Sequence, residues 1–417
     1  MSDNNNSLKS RSFIGGGMIV AGTAIGAGMF ALPVVSAGMW SLWAVFMLII
    51  TWFFMNFSGL MILEANLNFP PGSSFDTIVK NTIGQKWNII NGIAITFLCY
   101  ILTYAYISGG SSVVIQSFQA TLGYTPPQKI AALVFALSLA FVVWLSTAAV
   151  DRLTTILIFG MVISFFMSVL GLTFHIKPEY LLDNNHAPNT RYFPFVFVAL
   201  PVFLTSFGYQ NSVPSLVKYY GKTPKTIARC IYFGTILALI FYSFWLLSIL
   251  GNVPRSHFGE IIAKGGNMGA LVDAVSSVTN AKLTSNLLAV FANMAVASSF
   301  LGVGLSLFDY LADMFKLDNS RLGRTKTAAL VYIPPIIGGV FFPNGFIVAI
   351  GFAGLSSTIW AAIVPALMAQ ASRKQFGSPL YRAWGGSVLI YATIFFGILV
   401  AVCHILGMFN ILPIFSG

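Results

Sequence analysis

The sequence predicts an all-α, polytopic integral membrane protein with eleven transmembrane helices. Of its 417 residues 57% are hydrophobic and only 8% charged, against about 25% charged in an ordinary soluble domain. Mean hydropathy is +0.83, and apolar runs repeatedly exceed the ~18 residues at which a membrane span becomes the default reading. The third observation is charge placement. The 22 Lys and Arg, which give a net charge of +11, sit in short loops without a basic stripe. They read as an orientation signal, and a nucleic-acid partner is excluded.

A polar tail, residues 1–12, leads into the first span, 13–37, an apolar run of about 25 residues with no A-x-A cleavage site, so it is read as retained. Spans at 41–63, 88–116, 129–147 and 153–174 complete a first half, 13–174. Spans at 193–217, 226–250, 284–312, 327–342 and 345–369 form a second half, 193–369, and 384–409 supplies the eleventh. With the N-terminus inside, sixteen of the 22 basic residues lie on the cytoplasmic side and six opposite, which places the C-terminus outside. Two connections have patterns of their own. Residues 73–84 put Phe75, Ile78, Val79 and Ile83 on one helical face behind a Ser73-x-x-Asp76 capping pattern, suiting a short helix on the inner membrane surface. The outer segment 251–283, with Gly265-Gly266 and an amphipathic stretch at Leu271, Val272 and Val275, suits a lid or a connector. Cys99, Cys230 and Cys403 lack paired spacing, and the four histidines are dispersed, so neither a metal nor another cofactor is expected.

Span one is costly for a helix. It holds Gly15-Gly16-Gly17, then Gly22-Thr23-Ala24-Ile25-Gly26-Ala27-Gly28, then Pro33. Glycine costs ~1 kcal/mol relative to alanine in a helix interior and proline ~3. Irregular backbone in a membrane persists only where protein, water or ligand satisfies its polar groups. A binding site explains the cluster; so, taken alone, does a Gly22-x-x-x-Gly26 packing motif. Span six favours the site. It carries Ser206-Phe207-Gly208-Tyr209-Gln210-Asn211-Ser212 between Pro201 and Pro214. The two interrupted spans occupy corresponding places in oppositely oriented halves, the pattern of a secondary transporter with a midplane site. Half-helix N-termini suit a carboxylate and freed carbonyls an ammonium group or cation, and an amino acid presents both.

The chain resembles the bacterial aromatic amino acid permeases, in the hydroxy and aromatic branch of the amino acid/polyamine/organocation superfamily, and within them the tryptophan permeases. The resemblance runs nearly end to end, through Gly22–Phe30, Leu63-Glu64-Ala65-Asn66-Leu67-Asn68, Tyr100–Ser108, Ser206–Tyr209, Ala297–Phe300, Phe308–Asp313, Pro343–Phe346 and Trp360–Pro365. It implies a LeuT-like 5+5 inverted repeat plus one helix in the inner (cytoplasmic) membrane. It also implies alternating access and proton-driven uptake of L-tryptophan.

Physical reading and resemblance together put the substrate carboxylate on the amides of Ala24, Ala27 and Gly28 beside the Thr23 hydroxyl, and the ammonium on carbonyls near Ala21, Gly22 and Ser206. An indole needs an acceptor for its N–H, because a buried unpaired donor costs ~1–3 kcal/mol. Tyr209, Gln210 and Asn211 are the candidates, with Tyr100 and Tyr104 as aromatic walls, Phe207 in the break and Gly208 making room. Glu64 and Asp309, at inner span ends, read as gate residues. Proton-coupled relatives carry a lysine where this chain has Met161, and many have histidine where it has Gln210. Altered coupling is one expectation, either with a proton replaced by a cation such as sodium between the carbonyls of Gly22 and Ile25 and the hydroxyls of Ser298 and Ser299, or with the chain running as a weakly coupled carrier. An intramembrane enzyme lacks a midplane constellation here, and a channel lacks a charged ring or filter repeat. A transporter-like sensor and a tyrosine or general aromatic permease stay open.

Overall fold

Helices fill every one of the eleven apolar windows in the computed structural model, which describes residues 12–184, 190–279, 282–377 and 380–417. All but Ser12 of the N-terminal tail lies outside the described residues. The first window holds α1 (Phe13–Ala24) and α2 (Ala31–Ser36), joined through a 3-10 turn at Ala27–Phe30. Next come α3 (Trp40–Asn66), the short α4 (Phe75–Ile83), α5 (Gln85–Leu122), α6 (Gln128–Leu145) and α7 (Thr147–Thr173). After α8 (Pro178–Leu181), the second interrupted window holds α9 (Val196–Ser206) and α10 (Ser212–Tyr220), followed by α11 (Pro224–Leu250). The outer segment forms α12 (Phe258–Ala263) and α13 (Met268–Thr279). Then follow α14 (Lys282–Met314), α15 (Arg321–Phe341), α16 (Phe346–Ser357), α17 (Val364–Gln375) and α18 (Gly386–Met408), with a π-helical turn, Thr358–Ile363, between α16 and α17.

Among the described residues no strand occurs. Among the described residues eight helical stretches are long and apolar enough to cross a membrane, and up to nine if the bent pair in the first window is one span. The chain is therefore a multi-pass helical membrane protein. The second interrupted window is split into short pieces, and α15 carries Arg321, Arg324, Lys326 and two prolines, which lower its apolar character.

Local chemistry explains several of these elements. Ser74 caps α4 through the Thr77 N–H at 3.1 Å. The expected capping position, Ser73, instead turns its hydroxyl back to the Pro70 carbonyl, so the helix begins one residue later than the pattern implied. Ile78 and Val79 are buried against Val364 and Met368 of α17. Pro334 has no N–H, which leaves the Leu330 carbonyl without its helical donor; the Tyr100 hydroxyl donates to it at 2.9 Å. Pro365 does the same to Ala361, whose carbonyl accepts from the Ser58 hydroxyl on α3. The Gly15–Gly17 run stays helical, contrary to its reading as part of an irregular cluster. A Cβ on Gly16 would lie 2.6 Å from the Cys230 sulfur, so Gly16 permits close packing on α11.

The outer segment is packed as a cover. Its Gly265 and Gly266 both have positive φ (86° and 59°). Their bare faces press on Asn344 and Ile347 at the start of α16, where a Cβ would collide. Leu271, Val272 and Val275 are buried, and the Gly269 N–H donates to the Ser112 hydroxyl of α5 at 3.1 Å.

Candidate functional site

The first break follows from the Gly-rich run. α1 ends when the Ile25 N–H closes on the Ala21 carbonyl at 2.7 Å. Ile25 then turns extended (φ −74°, ψ 104°), and Gly26 continues at φ −150°, ψ −165°. The chain axis bends by 53° between the two halves. Gly26 has a specific use: a Cβ there would come within 3.0 Å of the Ser299 hydroxyl of α14. That hydroxyl accepts from the Ala27 N–H at 3.0 Å. Pro33 falls in the first turn of α2 and Pro214 in the first turn of α10, where a missing N–H breaks no helical hydrogen bond.

The second break opens after Ser206. Phe207 leaves the helix (φ −98°, ψ 31°) and the Gly208 N–H bonds to the Thr205 carbonyl at 3.1 Å. The two breaks meet through α11. The fully buried Tyr242 hydroxyl lies 2.6 Å from the Ala24 carbonyl and 2.5 Å from the Ser206 carbonyl. Both acceptors belong to the last turn of a helix cut short, where carbonyls have lost their intrahelical donors. One turn along α11, Trp245 donates its indole N–H to the Met29 carbonyl at 3.0 Å. One hydroxyl proton thus serves two carbonyls, one from each break.

The remaining candidates are distributed unevenly. Gly22 and Thr23 are exposed, and the Thr23 hydroxyl bonds back to the Ile19 carbonyl at 2.7 Å. Tyr209 and Gln210 are buried but turn to α3. The Tyr209 hydroxyl donates to the Met55 carbonyl at 3.1 Å, while the Gln210 side chain accepts from the Tyr209 N–H at 2.9 Å and donates toward Met55. Their polar groups are thus engaged by the protein rather than held ready for an indole N–H. Asn211 is exposed. Tyr100 and Tyr104 face α15, where the Tyr104 hydroxyl donates to the Phe342 carbonyl at 2.7 Å, an orphan of that helix's end. Tyr106, two residues on and therefore on the other face of α5, is the buried tyrosine beside Ser299 and Tyr242. Met161 is buried on α7, and Ser298 donates to the Ala295 carbonyl at 3.2 Å. Ser299 is the hydroxyl of the pair that reaches the first break. Removing it as Ser299→Ala strands the Ala27 N–H and is expected to cost about 1–3 kcal/mol, readable as a lower unfolding midpoint in detergent. An unchanged midpoint would mean that this amide finds another partner.

Of the acidic candidates, Glu64 is wholly buried and held by Arg373 of α17 at 2.6 and 2.8 Å, with the Ala383 N–H donating at 2.8 Å. It is a clamp joining α3, α17 and the segment before α18. Asp309 is exposed on α14. At the far end of α2 Arg255 performs a comparable task, donating to the Ala37 and Gly38 carbonyls at 2.9 and 3.0 Å and pairing with Asp183 at 3.4 Å. Its guanidinium lies between the rings of Tyr192 and Phe415, 4.9 and 4.7 Å away. Burial, followed by the hydrogen bond to Asp183 and that carboxylate's charge, pushes the Tyr192 phenol up to about 12. The Arg255 cluster and the Tyr242–Trp245 seam have no counterpart among the candidate residues read from the sequence.

Residues 9–404 match the tryptophan/tyrosine permease family. The chain is 54% identical over 402 residues to the tryptophan-specific transport protein of Pseudomonas aeruginosa, covering 96% of each chain. It is 46% identical over 409 residues to the low affinity tryptophan permease of Escherichia coli, covering 98% of this chain and 99% of the relative. Against the tyrosine permease of Enterobacter agglomerans identity is 40% over 404 residues, covering 96% and 97%.

Proposed function

The chain belongs to the tryptophan/tyrosine permease family, and on that premise we propose that it imports L-tryptophan by alternating access as a proton symporter. It is a permease and not an enzyme. The observation that carries the mechanism is the pair of facing breaks tied by Tyr242. The carboxylate is received by the amides of Gly26 and Gly28 at the start of the outer half of span one, the Ala27 amide between them being held by Ser299. The ammonium takes the carbonyls of Ala24 and Ser206, which the Tyr242 proton satisfies only one at a time in full. Tyr106 replaces Tyr100 and Tyr104 as the aromatic wall nearest this point. Tryptophan is preferred to tyrosine as substrate because five relatives named for tryptophan stand at 46–54% identity, above the 40% of the tyrosine permease, although a sixth stands at 36%.

The eleven helical windows are the spans, in a 5+5 inverted repeat plus one, with the N-terminus cytoplasmic and the C-terminus periplasmic in the inner membrane. Bare apolar side chains such as Phe159 on α7 and Val388 on α18 face lipid. No resident cofactor takes part. Reconstituted protein is expected to exchange external labelled tryptophan against internal unlabelled tryptophan, and an inward proton gradient to accelerate uptake where a sodium gradient does not. Binding without exchange would identify a sensor. Acceleration by sodium alone would replace the proton with a cation near Ile25 and Ser299. Equal competition by tyrosine and phenylalanine would widen the substrate to aromatic amino acids in general.

A further inference from the structure

The segment that follows α18 crosses the end of the molecule where the two interrupted spans meet. Asn410 takes the left-handed conformation (φ 55°), and the Asn410 and Ile411 N–H groups bond to the Gly407 and Leu406 carbonyls, both at 3.0 Å. A turn of this kind ends a helix and redirects the chain. Residues 412–417 make no hydrogen bond among the described residues. Leu412 and Phe415 are half-buried, and Pro413 and Ile414 between them are exposed. A cavity of about 590 Å³ lies between this stretch and Val34 of α2 and Val202 of α9, so the segment does not rest on a packed surface. A stretch with so few buried contacts opens at low cost.

Phe415 is its fastener. The ring meets the Phe195 ring at 5.9 Å and the Arg255 guanidinium at 4.7 Å. Phe195, immediately before α9, presses on the bare face of Gly38, where a Cβ would lie 2.5 Å from the ring. Arg255 holds the Ala37 and Gly38 carbonyls beyond α2. Phe415 therefore touches both residues that join the far end of α2 to the start of α9. One residue on, α12 provides a seat: a Cβ on Gly259 would lie 2.9 Å from the Ser416 carbonyl.

We propose that residues 410–417 form a latch. Seated, Phe415 braces Arg255 and Phe195 and keeps the ends of the two interrupted spans joined. Lifted, it leaves that joint to the bonds of Arg255 alone and lets the ends part more often. In the orientation proposed above this is the outer side, so the latch sets how often the binding site opens outward. That last step rests on the transport reading; the latch itself does not.

Phe415→Ala and Gly259→Ala loosen the latch from opposite sides without touching the breaks. With the full chain in nanodiscs, hydrogen exchange of main-chain amides at residues 37–41 and 193–198 should quicken about three- to tenfold in Phe415→Ala, the value of a partly buried cation–ring contact. It should quicken in the same places in Gly259→Ala, while amides at 64–69, beside the Glu64–Arg373 pair, keep parental rates. Phe415→Tyr keeps the ring and should exchange as the parent does. External tryptophan should half-saturate uptake by Phe415→Ala at a correspondingly lower concentration, because the outward-open fraction rises. Unchanged exchange at 37–41 and 193–198 in both alanine variants overturns the latch. So does an equal rise at 64–69, which marks general loosening. Quickened exchange beside an unchanged half-saturation, in a protein that exchanges tryptophan, overturns its part in outward opening. If the amides quicken as stated while the parent neither binds nor exchanges tryptophan, it is the transport reading that fails and the latch stands.

Discussion

Replacing Tyr242 with phenylalanine is expected to lower tryptophan exchange by about ten- to a hundredfold, the equivalent of roughly 1–3 kcal/mol for a buried carbonyl left unsatisfied. The ring stays, so its packing against Phe207 (centroids 5.2 Å apart) is preserved and the protein should still reach the membrane. Only the hydroxyl proton shared between Ala24 and Ser206 is lost. Counterflow in proteoliposomes, normalised to the amount of protein, measures it. Parental exchange by Tyr242→Phe would show that the hydroxyl merely fills space and that the breaks are held in place by their surroundings.

The second large effect concerns stability. Arg373→Ala is expected to destabilise the fold by about 3–5 kcal/mol, because removing one partner leaves the other charge buried and unpaired. Glu64 is wholly buried, and the guanidinium and the Ala383 N–H are its partners. The double variant Glu64→Gln with Arg373→Met removes both charges and should recover much of the loss. Unfolding midpoints in detergent, with abundance in membranes alongside, test this. Equal loss in single and double variants would show that shape rather than charge holds the clamp.

Much of this architecture was legible from composition and spacing, for physical reasons. The apolar windows located every long helix, because a segment facing lipid or core has little freedom to be polar. The first break could be read from Gly26 and Pro33, since both residues are costly in an uninterrupted helix. The second was readable from the polar run beginning at Ser206. What failed was direction. Tyr100 and Tyr104 share a face of α5 and satisfy carbonyls of α15 that Pro334 and the helix end leave open. Tyr106 lies on the other face, and nothing in one sequence says which face meets the breaks. Tyr209 and Gln210 stand in the polar run yet spend their hydrogen bonds on α3. Tyr242 and Trp245 were hidden for the opposite reason. In a chain with 15% aromatic residues, two more in an apolar helix carry no visible signal until the acceptors they reach are known. Gly16 shows the same limit, because a glycine that permits close approach and one that permits unwinding are the same letter.

The Glu64–Arg373 clamp also imposes an order on biosynthesis. Glu64 and Arg373 are 309 residues apart in the chain. At roughly 5–20 residues per second, the carboxylate on α3 waits on the order of 15–60 s before its partner is made. During that interval the emerging protein keeps an acid at a membrane helix end with water or lipid headgroups as its company. The Glu64 contact with Arg373 therefore forms only after α17 has been made, and the end of α3 is held in its final place late in synthesis.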